Sequence, residues 1–112
     1  LIMKQLSRRK KGKRLQNTIR QKLLDTFPHL NADDVRVAAN GENGADVKLS
    51  KIAKRLFPYQ VEAKNQEKFK TLYSFWRQTK RHGRLEPVLI CKMNGEKPIA
   101  VIDLDHFFFL VK

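Results

Sequence analysis

Between Phe27 and Val35 the apolar residues of this chain change their spacing from four to two, and that change limits what the chain can fold into. Leu15, Ile19, Leu23 and Phe27 recur every fourth residue, with Arg14, Arg20 and Lys22 off the stripe, and Pro28 follows. A four-residue recurrence lines one face of a helix, and the residue before a proline is pushed out of helical backbone, so the helix ends there. Val35, Val37 and Ala39 then alternate, as does Ala45-Asp46-Val47-Lys48-Leu49, with Asn40-Gly41-Glu42-Asn43-Gly44 between them. Period two belongs to strands and the Asn/Gly-rich interval to a turn, so a hairpin is expected.

Downstream the two periods keep alternating. Ser50 is placed to cap a short helix, Lys51 to Leu56, which Phe57-Pro58 ends, and Tyr59 to Lys64 reads as a third strand. Phe69, Leu72, Tyr73 and Trp76 fall at i, i+3, i+4 and i+7, predicting a second long helix that ends near Gly83. These aromatics read as core packing. Val88 to Lys92, bounded by Pro87, predicts a buried central strand, Ile99 to Ile102 a further one, and Asp103 a cap for a terminal helix, Leu104 to Val111. The expected fold is a mixed α/β domain with a central sheet flanked by helices.

At 112 residues, 41% of them hydrophobic, the chain has material for one domain with a real core. Its 24 Lys+Arg against 11 Asp+Glu give a net charge of +13, which calls for a polyanionic partner. No apolar run approaches the roughly 18 residues of a membrane span, so nucleic acid is expected and a membrane is not. Arg8-Arg9-Lys10-Lys11-Gly12-Lys13-Arg14 holds six positive charges in seven residues. It predicts a mobile arm or basic loop over residues 1–14, ahead of a single domain over 15–112, with phosphate contact as the favoured role over a solubilising tail or a localisation signal. Cys91, alone in the sequence and set in an apolar run, reads as a small core residue in a reducing compartment. Without a hydrophobic leader in the first residues, a cytoplasmic location is expected.

The chemistry centres on Asp46 and Glu62-Ala63-Lys64. In a strand, Gln60, Glu62 and Lys64 project from one face about 6.5 Å apart, and pairing with the Asp46 strand brings Asp46, Glu62 and Lys64 to one cleft. Two carboxylates suit a hard cation such as Mg²⁺, which takes oxygen ligands and keeps sites for water and phosphate. The same residues also fit a solvated strand face carrying a surface ion pair. His29 and His82 read as loop residues at the surface, and His106 lacks Cys or His partners at zinc spacing.

Taken together, Gly41-Glu42-Asn43-Gly44-Ala45-Asp46-Val47, Phe57-Pro58-Tyr59-Gln60-Val61-Glu62-Ala63-Lys64-Asn65-Gln66-Glu67-Lys68 and Pro87-Val88-Leu89-Ile90 resemble the PD-(D/E)xK nuclease superfamily. Within it, the closest look is to phage and archaeal-type Holliday junction resolvases, over about residues 15–110. The resemblance implies a restriction-endonuclease-like core and Mg²⁺-dependent cleavage of DNA phosphodiesters, with Mn²⁺ able to substitute. It also implies a homodimer that cuts two strands of a four-way junction, in a bacterial, archaeal or phage-infected cell. Asp46 and Glu62 would be metal ligands, Lys64 the catalytic lysine, the Ala63 carbonyl a further oxygen ligand and Gln78 a helix glutamine near the scissile phosphate. Such resolvases carry an acid on the first helix, where this chain has only Asp25 near the end. Glu42 is either its replacement at the metal or a solvated turn residue.

The basic residues fall in three groups: Arg8, Arg9, Lys10, Lys11, Lys13 and Arg14; Lys48 and Lys51, with Lys54 and Arg55; and Arg77, Lys80 and Arg81, with Arg84. They predict tracking of phosphates over more than one duplex arm without base readout. The alternatives are a less selective DNA nuclease of the same superfamily and a basic nucleic-acid-binding protein without chemistry. A homodimer is expected, and the apolar Phe107 to Val111 segment either supplies part of its contact or packs its three phenylalanines under the sheet.

Overall fold

The computed structural model describes residues 2–112, with the side chains of residue 5 and of residues 7–112. It is mixed α/β, with four helices and two small antiparallel sheets. The chain forms two compact units, Leu1–Asn65 with Val111–Lys112, and Gln66–Leu110.

In the first unit, helix α1 spans Ile2–Thr26 and packs against a hairpin of strands β1 (Val35–Val37) and β2 (Val47–Leu49). The helical stripe does what its spacing predicts: Ile19, Leu23 and Phe27 are buried, with Leu30, Val35, Ala38, Val47, Ala53 and Phe57 completing the core. Full burial of a side chain such as Leu23 or Phe57 contributes about 1.5–3 kcal/mol. Phe27 meets Phe57 edge-on at 6.4 Å between ring centroids, and Tyr59 lies 4.8 Å from Phe57. Two cations fasten the helix to β1: Lys13 Nζ donates to the Ala38 carbonyl at 2.6 Å, and Arg20 Nε donates to that of Val35 at 2.6 Å. They are two turns apart, so one helix face reaches both ends of the strand.

The hairpin pairs Val35 with Leu49, Arg36 with Lys48 and Val37 with Val47. Its turn contains Gly41 at φ 78° and Gly44 at φ 92°, backbone that side chains rarely adopt. Helix α2 covers Lys51–Leu56 as expected, its first turn capped by Ser50 Oγ, which accepts the Ala53 N–H at 3.2 Å. Ser50 in turn donates to Asp34 Oδ1 at 2.7 Å, and its N–H donates to the Asp34 carbonyl at 2.8 Å.

In the second unit, a single 3-10 turn at Glu67–Phe69 leads into α3 (Lys70–Lys80), followed by β3 (Leu89–Cys91), β4 (Ile99–Val101) and α4 (Leu104–Val111). Leu89 pairs with Val101, Ile90 with Ala100 and Cys91 with Ile99. Asp103 caps α4 as read from sequence, Oδ1 accepting the His106 N–H at 2.9 Å.

Four expectations change. The basic run is helical rather than a mobile arm, because Arg, Lys, Gln and Leu are good helix formers and exposed charges stay solvated. Tyr59 to Lys64 forms no strand: the Tyr59 N–H is spent on the Phe57 carbonyl and the Ala63 N–H on a side chain. In place of a central sheet there are two separate pairs of strands, and β3 is not a buried centre, since Ile90 is 63% exposed. Cys91 is half-buried rather than core. Among the described residues, no helix is long and apolar enough to cross a membrane.

Candidate active site

Asp46 sits just before β2 and is held on both sides. Its carbonyl accepts the Ala38 N–H at 2.9 Å and its N–H donates to the Val61 carbonyl at 2.8 Å. Its carboxylate Oδ2 accepts the Ala63 N–H at 2.7 Å. The aspartate therefore fastens the 61–63 segment alongside the hairpin although no regular ladder forms there, the side-chain oxygen taking the place of a strand carbonyl. Asp46 is half-buried, and Oδ1 accepts no hydrogen bond among the described residues.

Glu62 lies between the two residues that Asp46 holds. Its Oε1 is 3.2 Å from Lys64 Nζ, with the side chains 61% and 58% exposed, so water screens the pair to at most about 1 kcal/mol. Asp46 thus contacts the backbone of Val61 and Ala63, rather than joining the Glu62 and Lys64 side chains by strand pairing. The Glu62 carboxylate is open to solvent, whereas that of Asp46 is half-buried with Oδ2 occupied.

Glu42 is occupied elsewhere. Its two oxygens accept from Arg36 at 2.8 and 2.9 Å, and Oε1 also accepts the Ala39 N–H at 2.8 Å. These bonds, that from Arg36 foremost, pull its pKa from 4.5 down to about 2. Glu42 closes the 39–42 turn, its own N–H donating to the Ala39 carbonyl at 3.0 Å. Among the described residues, no three His, Cys, Asp or Glu side chains gather in a way that could hold a metal ion.

The basic residues divide in the same manner. Lys13 and Lys48 spend their ammonium groups on the carbonyls of Ala38 and Asn43, which makes them parts of the fold. Arg8, Arg9, Lys10, Lys11 and Arg14 are exposed on α1, and Lys51 is exposed on α2. In the second unit, Arg77, Gln78, Lys80 and Arg81 are exposed in and just after the last turns of α3. There His106 Nδ1 lies 3.8 Å from Glu86 Oε1, and its ring stacks on Phe109 at 6.1 Å.

Sequence reasoning missed Gln16, whose Oε1 is buried without a hydrogen-bond partner. Its position three residues after Lys13 and four before Arg20, both of which reach β1, was the available sign that it faces inward.

No family model matches this chain, no curated protein matches it, and no solved structure matches its fold.

Proposed function

We propose that this chain is a metal-dependent DNA endonuclease in which Asp46 and Glu62 hold a divalent cation and Lys64 works beside them. The observation that carries this reading is the pair of bonds from Asp46 to Val61 and Ala63, which keeps an aspartate next to Glu62-Ala63-Lys64. The donor set fits Mg²⁺, with Mn²⁺ as a substitute: carboxylate oxygens from Asp46 and Glu62, the neighbouring Ala63 carbonyl, and room for water. A cation bound there supplies charge neutralisation at the phosphate and a more acidic water. In this reading Lys64, which pairs with Glu62 at 3.2 Å, orients a water or balances charge developing on the phosphoryl oxygens. Glu42 keeps the turn before Asp46 in shape and takes no part in binding the cation.

The substrate in this reading is DNA, cut without base readout, and a four-way junction is the preferred form. Support comes from the net charge of +13 and from exposed basic residues on α1, α2 and α3. A restriction-endonuclease-like core belongs to the proposal, supported by the β1–β2 hairpin with the 61–63 segment beside it. So does a homodimer, since resolving a junction takes two symmetric cuts, and so does a cytoplasmic location, where chromosomal or phage DNA is met. Gln78 is assigned to the phosphate on the resemblance alone. Incubating labelled four-way junction and matching linear duplex with Mg²⁺ or EDTA tests the reading. Cleavage that needs the metal and favours the junction supports it.

A further inference from the structure

The basic run at the start of α1 is helical, and its charges do not form one face. At 100° per residue, Arg8, Arg9, Lys10, Lys11 and Arg14 point in directions spread around the whole helix axis. All five are exposed, and among the described residues none of them forms an ion pair. No acidic residue precedes Asp25 in the sequence.

Such a helix works against itself when alone. Arg8 and Lys11, Lys11 and Arg14, and Lys10 and Arg14 stand three or four residues apart, where like charges repel. Gly12 in their midst weakens the helix further. An anion that flanks the helix on more than one side would relieve the repulsion.

We propose that the basic part of α1 docks in the major groove of B-form duplex DNA, with both phosphate backbones beside it. The groove is about 12 Å wide and admits one helix, so cations leaving the axis on opposite sides can each reach the phosphates of one wall. A membrane surface would meet one side only and would require an apolar face, yet Ser7 to Arg14 contains no apolar side chain. Single strands call for aromatic stacking platforms, and the first aromatic residue in the sequence is Phe27. An A-form RNA duplex has a major groove too narrow to enter. Lys13, bonded to Ala38, stays with the fold and anchors the C-terminal side of the docking segment. The inference rests on the DNA partner of the proposed function but not on its chemistry.

The test compares the full chain with a variant carrying Arg8→Gln, Arg9→Gln, Lys10→Gln, Lys11→Gln and Arg14→Gln, which keeps good helix formers in place. Binding is measured in EDTA across a salt series to linear duplex DNA of roughly three helical turns, its single strand, an RNA duplex of the same sequence, and phosphatidylserine vesicles. At about 0.9 per phosphate, loss of five contacts should lower the slope of log K against log salt for duplex DNA by about 4 to 5. Duplex DNA should also raise the helical circular dichroism of the parent and bind it more tightly than the other probes. An unchanged slope, or equal binding of the RNA duplex or vesicles, overturns the groove assignment. Because EDTA suppresses metal-dependent cleavage, that failure would leave the nuclease reading intact, and full cleavage by Asp46→Asn, or none by the parent in Mg²⁺, with the slope effect preserved would do the reverse.

Discussion

The Asp46 carboxylate accepts the backbone N–H of Ala63 at 2.7 Å, so one side chain both supports the fold and borders the proposed cation site. The two roles separate by substitution. Asp46→Asn keeps an oxygen for the Ala63 N–H and loses the charge, so it should abolish cleavage with little change in stability. Asp46→Ala leaves the Ala63 N–H without its acceptor and should cost a further 1–2 kcal/mol or so in unfolding free energy. Denaturant melts beside cleavage assays check this, and equal stability of the two variants would contradict the bracing role.

Glu42 gives a prediction in pH. Its carboxyl is held below its ordinary range, to about 2, by Arg36 and the Ala39 N–H, and Asp34 is held low by Ser50 and by the Asn31 N–H. A carboxyl with a lowered folded pKa contributes stability that is complete above its unfolded value and is lost as pH falls. For Glu42 that window runs from 4.5 down to about 2. Thermal midpoints should fall through this window in the parent and fall less in Glu42→Gln, where Asp34 still titrates. The Mg²⁺ dependence of cleavage should match the parent; a higher requirement would return Glu42 to the metal.

Gln16 should be replaceable with gain. Its Oε1 is buried without a partner, and leaving such a group unpaired costs about 1–3 kcal/mol. Gln16→Met, similar in volume, should raise unfolding free energy by about 1 kcal/mol. A loss of stability in the same melt would mean the amide has a structural partner after all.

The terminal helix separates folding from assembly. Phe108 is buried, whereas Phe109 and Leu110 are each 60% exposed. Phe108→Glu should therefore damage folding, by about 3 kcal/mol or more from lost burial alone, and does not report on an interface. Phe109→Glu should keep the fold and shift a dimer to the 13.1 kDa mass of one chain in sedimentation. A parent that sediments at 13.1 kDa would remove the homodimer.

Local signals carried most of what could be read in advance. The Leu15-to-Phe27 stripe, the Ser50 and Asp103 caps and the paired periods of the hairpin each depend on neighbours within a few residues, and each reappears in the structure. Tyr59 to Lys64 has the right alternation for a strand, but its N–H groups are claimed by Phe57 and by the Asp46 side chain, a choice that alternation does not encode. Likewise the apolar run around Ile90 looks central, yet its strand has one partner and stays largely open. For the site, the two alternating stretches pointed to strand pairing, whereas Asp46 reaches the 61–63 segment through its own N–H and carboxylate. The diversion of Glu42 to Arg36 was not legible, because the two stand six positions apart and meet only once the turn has formed.

The central claim is that Asp46 and Glu62 serve one cation-dependent cleavage site. It is tested most directly by single-turnover cleavage of a labelled four-way junction, with Mg²⁺ or EDTA, by the parent chain, Asp46→Asn, Glu62→Gln and Lys64→Ala. The account predicts junction cleavage by the parent in Mg²⁺ alone and its loss in all three variants, each still binding the junction in EDTA. Cleavage that persists in EDTA, or full cleavage by any two of the variants, would contradict it.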